Sequence, residues 1–249
     1  MIPKIVHYCW FGGKEKSKNV QKCIDSWRVF LPDYSLIEWN ETNCCIDDIP
    51  YVRQAYDNNK YAFVSDYFRL KALFELGGIY FDTDYEIVKP IDDILNEGSN
   101  LITGMESINN VLTAFIASEP GNLIIKELMD SYLDRSFLLD NGDMDLTPIN
   151  KEFSVLLNKN GVDISDNRLQ KLESGIIFYP INILCGFDVV NWHERVDVHT
   201  VGVHHMGTSW ATPQMKRHIQ IIHSIQKLLG YDLYDLAKKR LKKLFNKTR

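Results

Sequence analysis

Apolar positions along this chain change their period several times, and each change marks an element. Residues 4–10 (KIVHYCW) form a short apolar run that meets Gly12-Gly13, the pattern of a buried first strand entering a turn. Val20, Ile24, Trp27 and Phe30 then recur at helical spacing over 18–30, and Pro32 stops them. SLIEWN (35–40) reads as a second short strand. Residues 61–76 predict a strong helix closed by Gly77-Gly78, in the position where a left-handed backbone is tolerated. IYFD (79–82) follows as a buried strand that ends in acidic residues. Further helices are predicted near 122–134 and 150–159, with strands at 176–179 and over 196–205 (VDVHTVGVHH). Strand followed by helix, repeated, predicts an α/β fold whose mostly parallel sheet carries helices on both faces. No repeat or low-complexity linker divides the chain, so one domain is expected over 1–225.

Residues 226–249 follow another pattern. Leu233, Leu236, Ala237, Leu241, Leu244 and Phe245 recur near helical spacing, opposite Lys238, Lys239, Lys242 and Lys243. The expected element is a basic amphipathic helix. It suits either solvent or the face of an anionic membrane, where each basic residue contributes about 1 kcal/mol.

Composition narrows the class. With 249 residues, 45% hydrophobic and 24% charged, the chain can bury a core and is not a disordered segment. Its net charge of −5 argues against a basic nucleic-acid binder, so no nucleic-acid partner is expected. The charge is uneven: residues 238–249 hold seven of the 28 Lys and Arg and no acid, leaving 21 bases against 33 acids elsewhere. Five cysteines without a CxxC pair predict reduced thiols in a cytoplasmic protein. The opening MIPKIVHYCWFGG has neither the build of a signal peptide nor that of a membrane span. A soluble protein is expected, at most lying on the inner membrane surface.

The sharpest local signal is Asp82-Thr83-Asp84, directly after the apolar strand. Side chains two apart on a strand point the same way, so both carboxylates can converge on one ligand. Hard oxygen donors at the end of a parallel strand suit Mn²⁺ or Mg²⁺ holding a diphosphate. The same residues also fit a plain acidic loop. Asp66 and Arg69, three apart on the preceding helix, share a face. Arg69 can steady a strand-end carboxylate while Asp66 accepts hydrogen bonds from hydroxyls, or the two form only a local helix ion pair.

The run AFVSDYFRLKALFELGGIYFDTDYEIVKP resembles the SDxxRxxxLxxxGGxYxDxD signature of glycosyltransferase family 32. That family includes capsule-synthesis and mannosyltransferase-like enzymes and is related to the clostridial glucosylating toxins. Ser65, Asp66, Arg69, Leu73, Gly77, Gly78, Tyr80, Asp82 and Asp84 occupy the matching positions. IPKIVHYCWFGG resembles the family's opening strand, which makes Trp10 the residue expected to stack on the nucleotide base. VHHMGTSW (203–210) resembles the family's late HHxxxSW element, where a histidine completes the metal shell and Ser and Trp approach the diphosphate. Strand alternation lets only one of His204 and His205 face the metal, and His204 is preferred. The family's TGP loop appears here as Asp145-Leu146-Thr147-Pro148, on what would be the acceptor side.

The resemblance implies a GT-A fold and a retaining transfer of a hexose from a UDP-sugar, UDP-galactose or UDP-glucose being favoured. The acceptor is expected to be a saccharide, lipid-linked in bacterial surface polysaccharide synthesis. Asp82, Asp84 and His204 are then the metal ligands, and Asp66, Arg69, Asp82 and Asp84 the catalytic set. Trp10, Ser65, Asp66, Arg69, Thr83, Ser209 and Trp210 are expected to bind the donor. Asp82 can alternatively bridge to the ribose while Asp84 takes the metal. Two rival readings stand beside this one. A metal-dependent phosphohydrolase usually has Thr or Val where this chain has Glu86, and a non-catalytic nucleotide-sugar or carbohydrate-binding protein would not need the full set.

Overall fold

Strand side chains alternate between the two faces of a sheet, and here both faces are apolar. The computed structural model describes residues 1–95, 98–189, 191–207, 213–230, 233–236 and 238. The first half runs β1 (Ile5–Cys9), α1 (Lys18–Phe30), β2 (Ser35–Trp39), a 3-10 turn (Ile46–Asp48), α2 (Pro50–Asp57), α3 (Tyr61–Leu76), β3 (Gly78–Phe81) and β4 (Tyr85–Ile87). Next come β5 (Leu101–Ser107), β6 (Asn110–Val111), β7 (Phe115–Ser118), α4 (Leu123–Asp130) and α5 (Ile149–Lys159). The chain continues through β8 (Gln170–Lys171), β9 (Ile176–Tyr179), α6 (Ile181–Leu184), β10 (Phe187–Asp188), β11 (His193–Glu194), β12 (Gly202–His204) and α7 (Pro213–Leu229).

The main sheet has the order β2-β1-β3-β7-β5-β9-β8, with β6 paired to β5. Strands β2, β1, β3, β5 and β9 point one way, while β7 and β8 run against them. This is a mostly parallel α/β arrangement, as the strand–helix alternation predicts. On one face Tyr80, Leu101, Ile116 and Phe178 pack with Tyr51, Phe63, Leu70, Ile125 and Phe153 of α2 to α5. On the other, Ile79, Phe81, Ile102 and Ile177 pack with Cys23, Ile24 and Trp27 of α1.

Two local features aim the site. Ser17 caps α1 by accepting from the Val20 amide at 3.3 Å. Gly77 ends α3 with φ +63°, and a Cβ there would lie 2.6 Å from Pro120. Only glycine fits that close, left-handed turn from helix into β3. Buried His7 fastens the turn. Its Nε2 donates to the Gly77 carbonyl at 2.7 Å and its Nδ1 accepts from Trp39 Nε1 at 3.1 Å. Burial lowers its pKa, in keeping with a neutral ring.

The structure departs from the sequence pattern in two places. The strand expected over 196–205 shrinks to Gly202–His204. Asp197 accepts from the His199 amide at 2.7 Å and donates its own amide to Thr200 Oγ1 at 2.9 Å, a local turn that competes with extended pairing. Secondly, the pattern marks no helix immediately ahead of residue 226, whereas α7 spans Pro213–Leu229. Ile219 and Ile222 are buried, and His223 Nε2 bonds to the Trp192 carbonyl at 3.1 Å, so this part of the helix is docked. Among the described residues no helix is long and apolar enough to cross a membrane.

Candidate active site

β3 ends at Phe81 and the chain leaves the sheet in a tight turn. The Asp82 amide donates to the Ala114 carbonyl at 3.0 Å, and the Tyr85 amide closes back on the Asp82 carbonyl at 2.9 Å. Asp82, Thr83 and Asp84 therefore occupy a β-turn, and its curvature, rather than strand alternation, makes the carboxylates converge. One ligand atom from each of Asp82, Asp84 and His204 lies within 4.8 Å of the others.

Arg69 comes up from α3 beneath this turn. It is 4% exposed, and its Nη2 lies 2.8 Å from Asp66 Oδ1 and 3.2 Å from Asp82 Oδ1. Nη1 donates to the Thr113 carbonyl at 3.0 Å, and Nε to the Ser65 carbonyl at 3.4 Å. The guanidinium also sits 4.6 Å over the Tyr80 ring, a cation–π contact. Its donors are thus engaged by the protein, and its role here is to hold the two carboxylates. The pair foreseen between Asp66 and Arg69 extends into a bridge to the strand end. Tyr80 donates its hydroxyl to the same Asp82 oxygen at 3.0 Å, which leaves the other oxygen for a ligand. Burial pushes the Asp66 carboxyl up to about 6 against the pull of Arg69, and burial also raises Asp82.

His204 and His205 point opposite ways, as the alternation of β12 requires. β12 pairs antiparallel with β4, setting His204 opposite Tyr85, and the His205 amide donates to the Asp84 carbonyl at 3.0 Å. His204 Nε2 lies 3.4 Å from Asp84 Oδ1, while its Nδ1 faces Glu106 Oε1 at 3.6 Å. His205 turns away and is clamped by Glu194 at 2.7 Å and Glu86 at 2.8 Å. Beyond them the Gly207 amide donates to Asp84 Oδ2, and a Cβ at Gly207 would sit 2.7 Å from that oxygen. Burial alone would lower the His204 imidazole, but Asp84 and Glu106 outweigh it and lift its pKa to about 10. Burial likewise opposes ionisation of Asp84, yet His204 and the Gly207 amide bring it down to about 2.

The other expected residues fall as follows. Trp10 lies just past β1, at the sheet edge where β3 also ends. It is half-buried, donates Nε1 to the Lys14 carbonyl at 2.7 Å, and has Lys16 Nζ 5.5 Å over its ring. Ser65 spends its hydroxyl on the Tyr61 carbonyl at 3.0 Å, within its own helix. Thr83 is half-buried in the turn. Ser209 and Trp210 lie outside the described residues, as does most of 231–249. The segment Asp145–Pro148 leads into α5, and the Ile149 backbone hydrogen-bonds to Asp66. Arg135 pins that segment by reaching Asp145 and Glu152, each at 2.7 Å, and lies 4.9 Å from the rings of both Tyr51 and Tyr132.

Sequence reasoning missed Glu106 and Arg135. For Glu106 the available signal was a polar residue closing the apolar run LITGM; for Arg135 there was none. The donor set suits a small, hard divalent cation, which prefers carboxylate oxygen with an imidazole. Two carboxylates and one imidazole converge, and among the described residues Tyr80 and Arg69 both engage Asp82 through Oδ1.

Comparison with known proteins adds the following. Residues 17–100 match the glycosyltransferase sugar-binding region containing a DXD motif. Subversion of eukaryotic traffic protein A from Legionella pneumophila is 28% identical over 168 residues, covering 55% of this chain and 26% of that protein. Inositol phosphoceramide mannosyltransferase 3 from Schizosaccharomyces pombe is 30% identical over 127 residues, covering 48% of this chain and 35% of that protein. The chain thus spans about a quarter to a third of the length of these relatives. Among solved structures, the PaToxG glycosyltransferase superposes with a TM-score of 0.49 at 22% identity, covering 64% of this chain and 70% of that one. The galactosyltransferase LgtC, in complex with donor and acceptor sugar analogues, has a TM-score of 0.45 at 10% identity, covering 91% and 96% of the two chains.

Proposed function

We propose, from the match of residues 17–100 to the glycosyltransferase sugar-binding region containing a DXD motif, that this chain transfers a hexose from a nucleotide sugar to a saccharide acceptor in a cation-dependent, retaining reaction. The observation that carries the reading is the convergence of Asp82, Asp84 and His204, drawn from two distant parts of the chain, at the sheet edge where β1 and β3 end.

In this reading Asp82, Asp84 and His204 hold Mn²⁺ or Mg²⁺. When bound, such an ion supplies positive charge where the departing diphosphate gains negative charge. Arg69 and Tyr80 fix Asp82 in place, so the carboxylate does not have to reorganise as charge moves. Asp66, buried beside them, accepts hydrogen bonds from sugar hydroxyls and sets the ring against the acceptor. Trp10 stacks on the base with the face that Lys16 leaves open, and Ser65 and Thr83 border the donor. Ser209 and Trp210 are assigned to the phosphates.

A UDP-hexose is the favoured donor, with UDP-glucose and UDP-galactose foremost, and the mannosyltransferase relative adds an activated mannose as the comparison. A lipid-linked oligosaccharide of a bacterial surface polysaccharide fits the acceptor role. Support comes from the tail: Ile221, Ile225 and Leu228 leave an exposed apolar stripe on α7, and the basic run of 238–249 follows. We assign this end of the molecule to peripheral contact with the anionic cytoplasmic leaflet.

A thermal-shift screen of nucleotide sugars with and without Mn²⁺ tests the proposal, because a ligand that binds only the folded state raises Tm. A UDP-hexose is expected to raise Tm by several degrees with Mn²⁺ and by much less without it. No shift with any nucleotide sugar in the presence of Mn²⁺ would overturn the reading.

A further inference from the structure

The His204 imidazole has two edges, and only one of them belongs to the group of three. We propose that Glu106 is a positioning residue for His204: it accepts the Nδ1–H, so that Nε2 is the ring atom turned toward Asp82 and Asp84. The inference rests on the cation reading of the site.

Three observations meet here. First, His204 Nδ1 is sealed from solvent and among the described residues has no partner at hydrogen-bonding distance, which is costly for a buried ring nitrogen. Second, Glu106 Oε1 stands 3.6 Å away, with the two side chains only 16% and 12% exposed. An approach of a few tenths of an ångström makes the hydrogen bond. Third, the Glu106 carboxylate is itself aimed: Asn150 Nδ2, in the first turn of α5, donates to its other oxygen at 3.1 Å.

The neighbouring histidine provides the contrast. Both nitrogens of His205 are taken by carboxylates, Glu194 and Glu86, so that ring has no electron pair to offer a cation. His204 has one carboxylate behind it and an open side toward the aspartates. A carboxylate on the far nitrogen fixes the tautomer and the ring plane and makes the ligating nitrogen more basic. Through Asn150 the same constraint reaches the start of α5, directly after Thr147-Pro148.

The test measures Mn²⁺ affinity of the full chain by electron paramagnetic resonance of the free ion, without donor or turnover. Glu106→Gln is expected to weaken binding about 10- to 100-fold, the usual cost of losing such an outer partner. Asn150→Ala leaves the carboxylate present but unaimed, and is expected to weaken binding by a smaller factor; it covers the case in which Glu106→Gln fails to fold. Nitrogen-15 spectra of the Mg²⁺-saturated protein should show the proton on Nδ1 of His204 in the unsubstituted chain. Mn²⁺ affinity unchanged in both variants, with binding lost in Asp84→Asn, overturns the role of Glu106 and leaves the cation site standing. A proton found on Nε2 instead overturns it as well. An unsubstituted chain that binds no Mn²⁺ overturns the cation reading itself.

Discussion

The site has two halves built by different means. Asp66, Arg69, Tyr80 and Asp82 come from one stretch of α3 and β3, and a single buried guanidinium joins three of them. Asp84, His204 and Gly207 come from a turn and a three-residue strand far apart in the chain, joined by an imidazole contact and one backbone amide. The first half is a buried network in which one guanidinium serves two carboxylates. In the second, Asp84 and Glu106 face one imidazole, and it is here that the proposed cation would be held. In the proposed site the local half sets the platform and supplies Asp82, and the long-range half supplies the other two ligands.

The largest effect should come from removing the shared member of the second half. Asp84→Ala is expected to abolish Mn²⁺-dependent donor hydrolysis while circular dichroism stays that of a folded chain, with part of the stability lost with the Asp84–His204 pair. Full activity in that variant would end the metal assignment.

The first half should respond in stability instead. Arg69→Met strands Asp66 and Asp82 without their cation, and breaking a buried pair in this way costs about 3–5 kcal/mol, read by urea unfolding. Lysine should not restore the loss, since a point charge cannot serve two carboxylates and two carbonyls at once. A loss below about 1 kcal/mol would mean that the network is not as coupled as its geometry indicates.

The smallest and most graded effect concerns pH. His204 is lifted from its ordinary 6.5 to about 10. Its charged form therefore contributes stability to the cation-free protein that is fully present below pH 6.5 and is lost as pH climbs through 10. A cation at Nε2 must displace that proton, whereas Asp84, at about 2, is already ionised. Mn²⁺ affinity should accordingly rise about tenfold per pH unit between 6.5 and 10, with about one proton released per ion. Calorimetric titration at pH 7 in two buffers of different ionisation enthalpy measures that release, and a value near zero would contradict it.

The difference between the halves also explains what could be read from the chain. The first half is contiguous, so helical spacing, the Gly77-Gly78 stop and the acidic strand end were all legible, and α1, α3, β1 and β3 lie where the pattern put them. Central strands were harder. Residues 101–107 are interrupted by Gly104, and AFIAS, being buried on both faces, has no alternation to distinguish it from a helix segment. The Pro50 start of α2 was available as a signal and went unread. Glu106 is marked only as the polar residue closing the run LITGM, and Asn150 carries no local signature, because only the stacking of β5 and α5 beside the turn after β3 brings them to His204. His204 itself was legible only through the family resemblance, since its strand is three residues long.

The pairing of β12 with β4 has a consequence for how the molecule is made. Joining Gly202 to Ile87 closes a span of about 115 residues, an entropic debt settled only after the strands between them have found their places. During synthesis the segment that carries Asp66, Arg69 and Asp82 emerges and can compact long before His204 leaves the ribosome. The nascent chain therefore passes through a stage in which Asp66, Arg69 and Asp82 are present and His204 is not. For the ion site proposed above, capture waits until β12 has paired with β4.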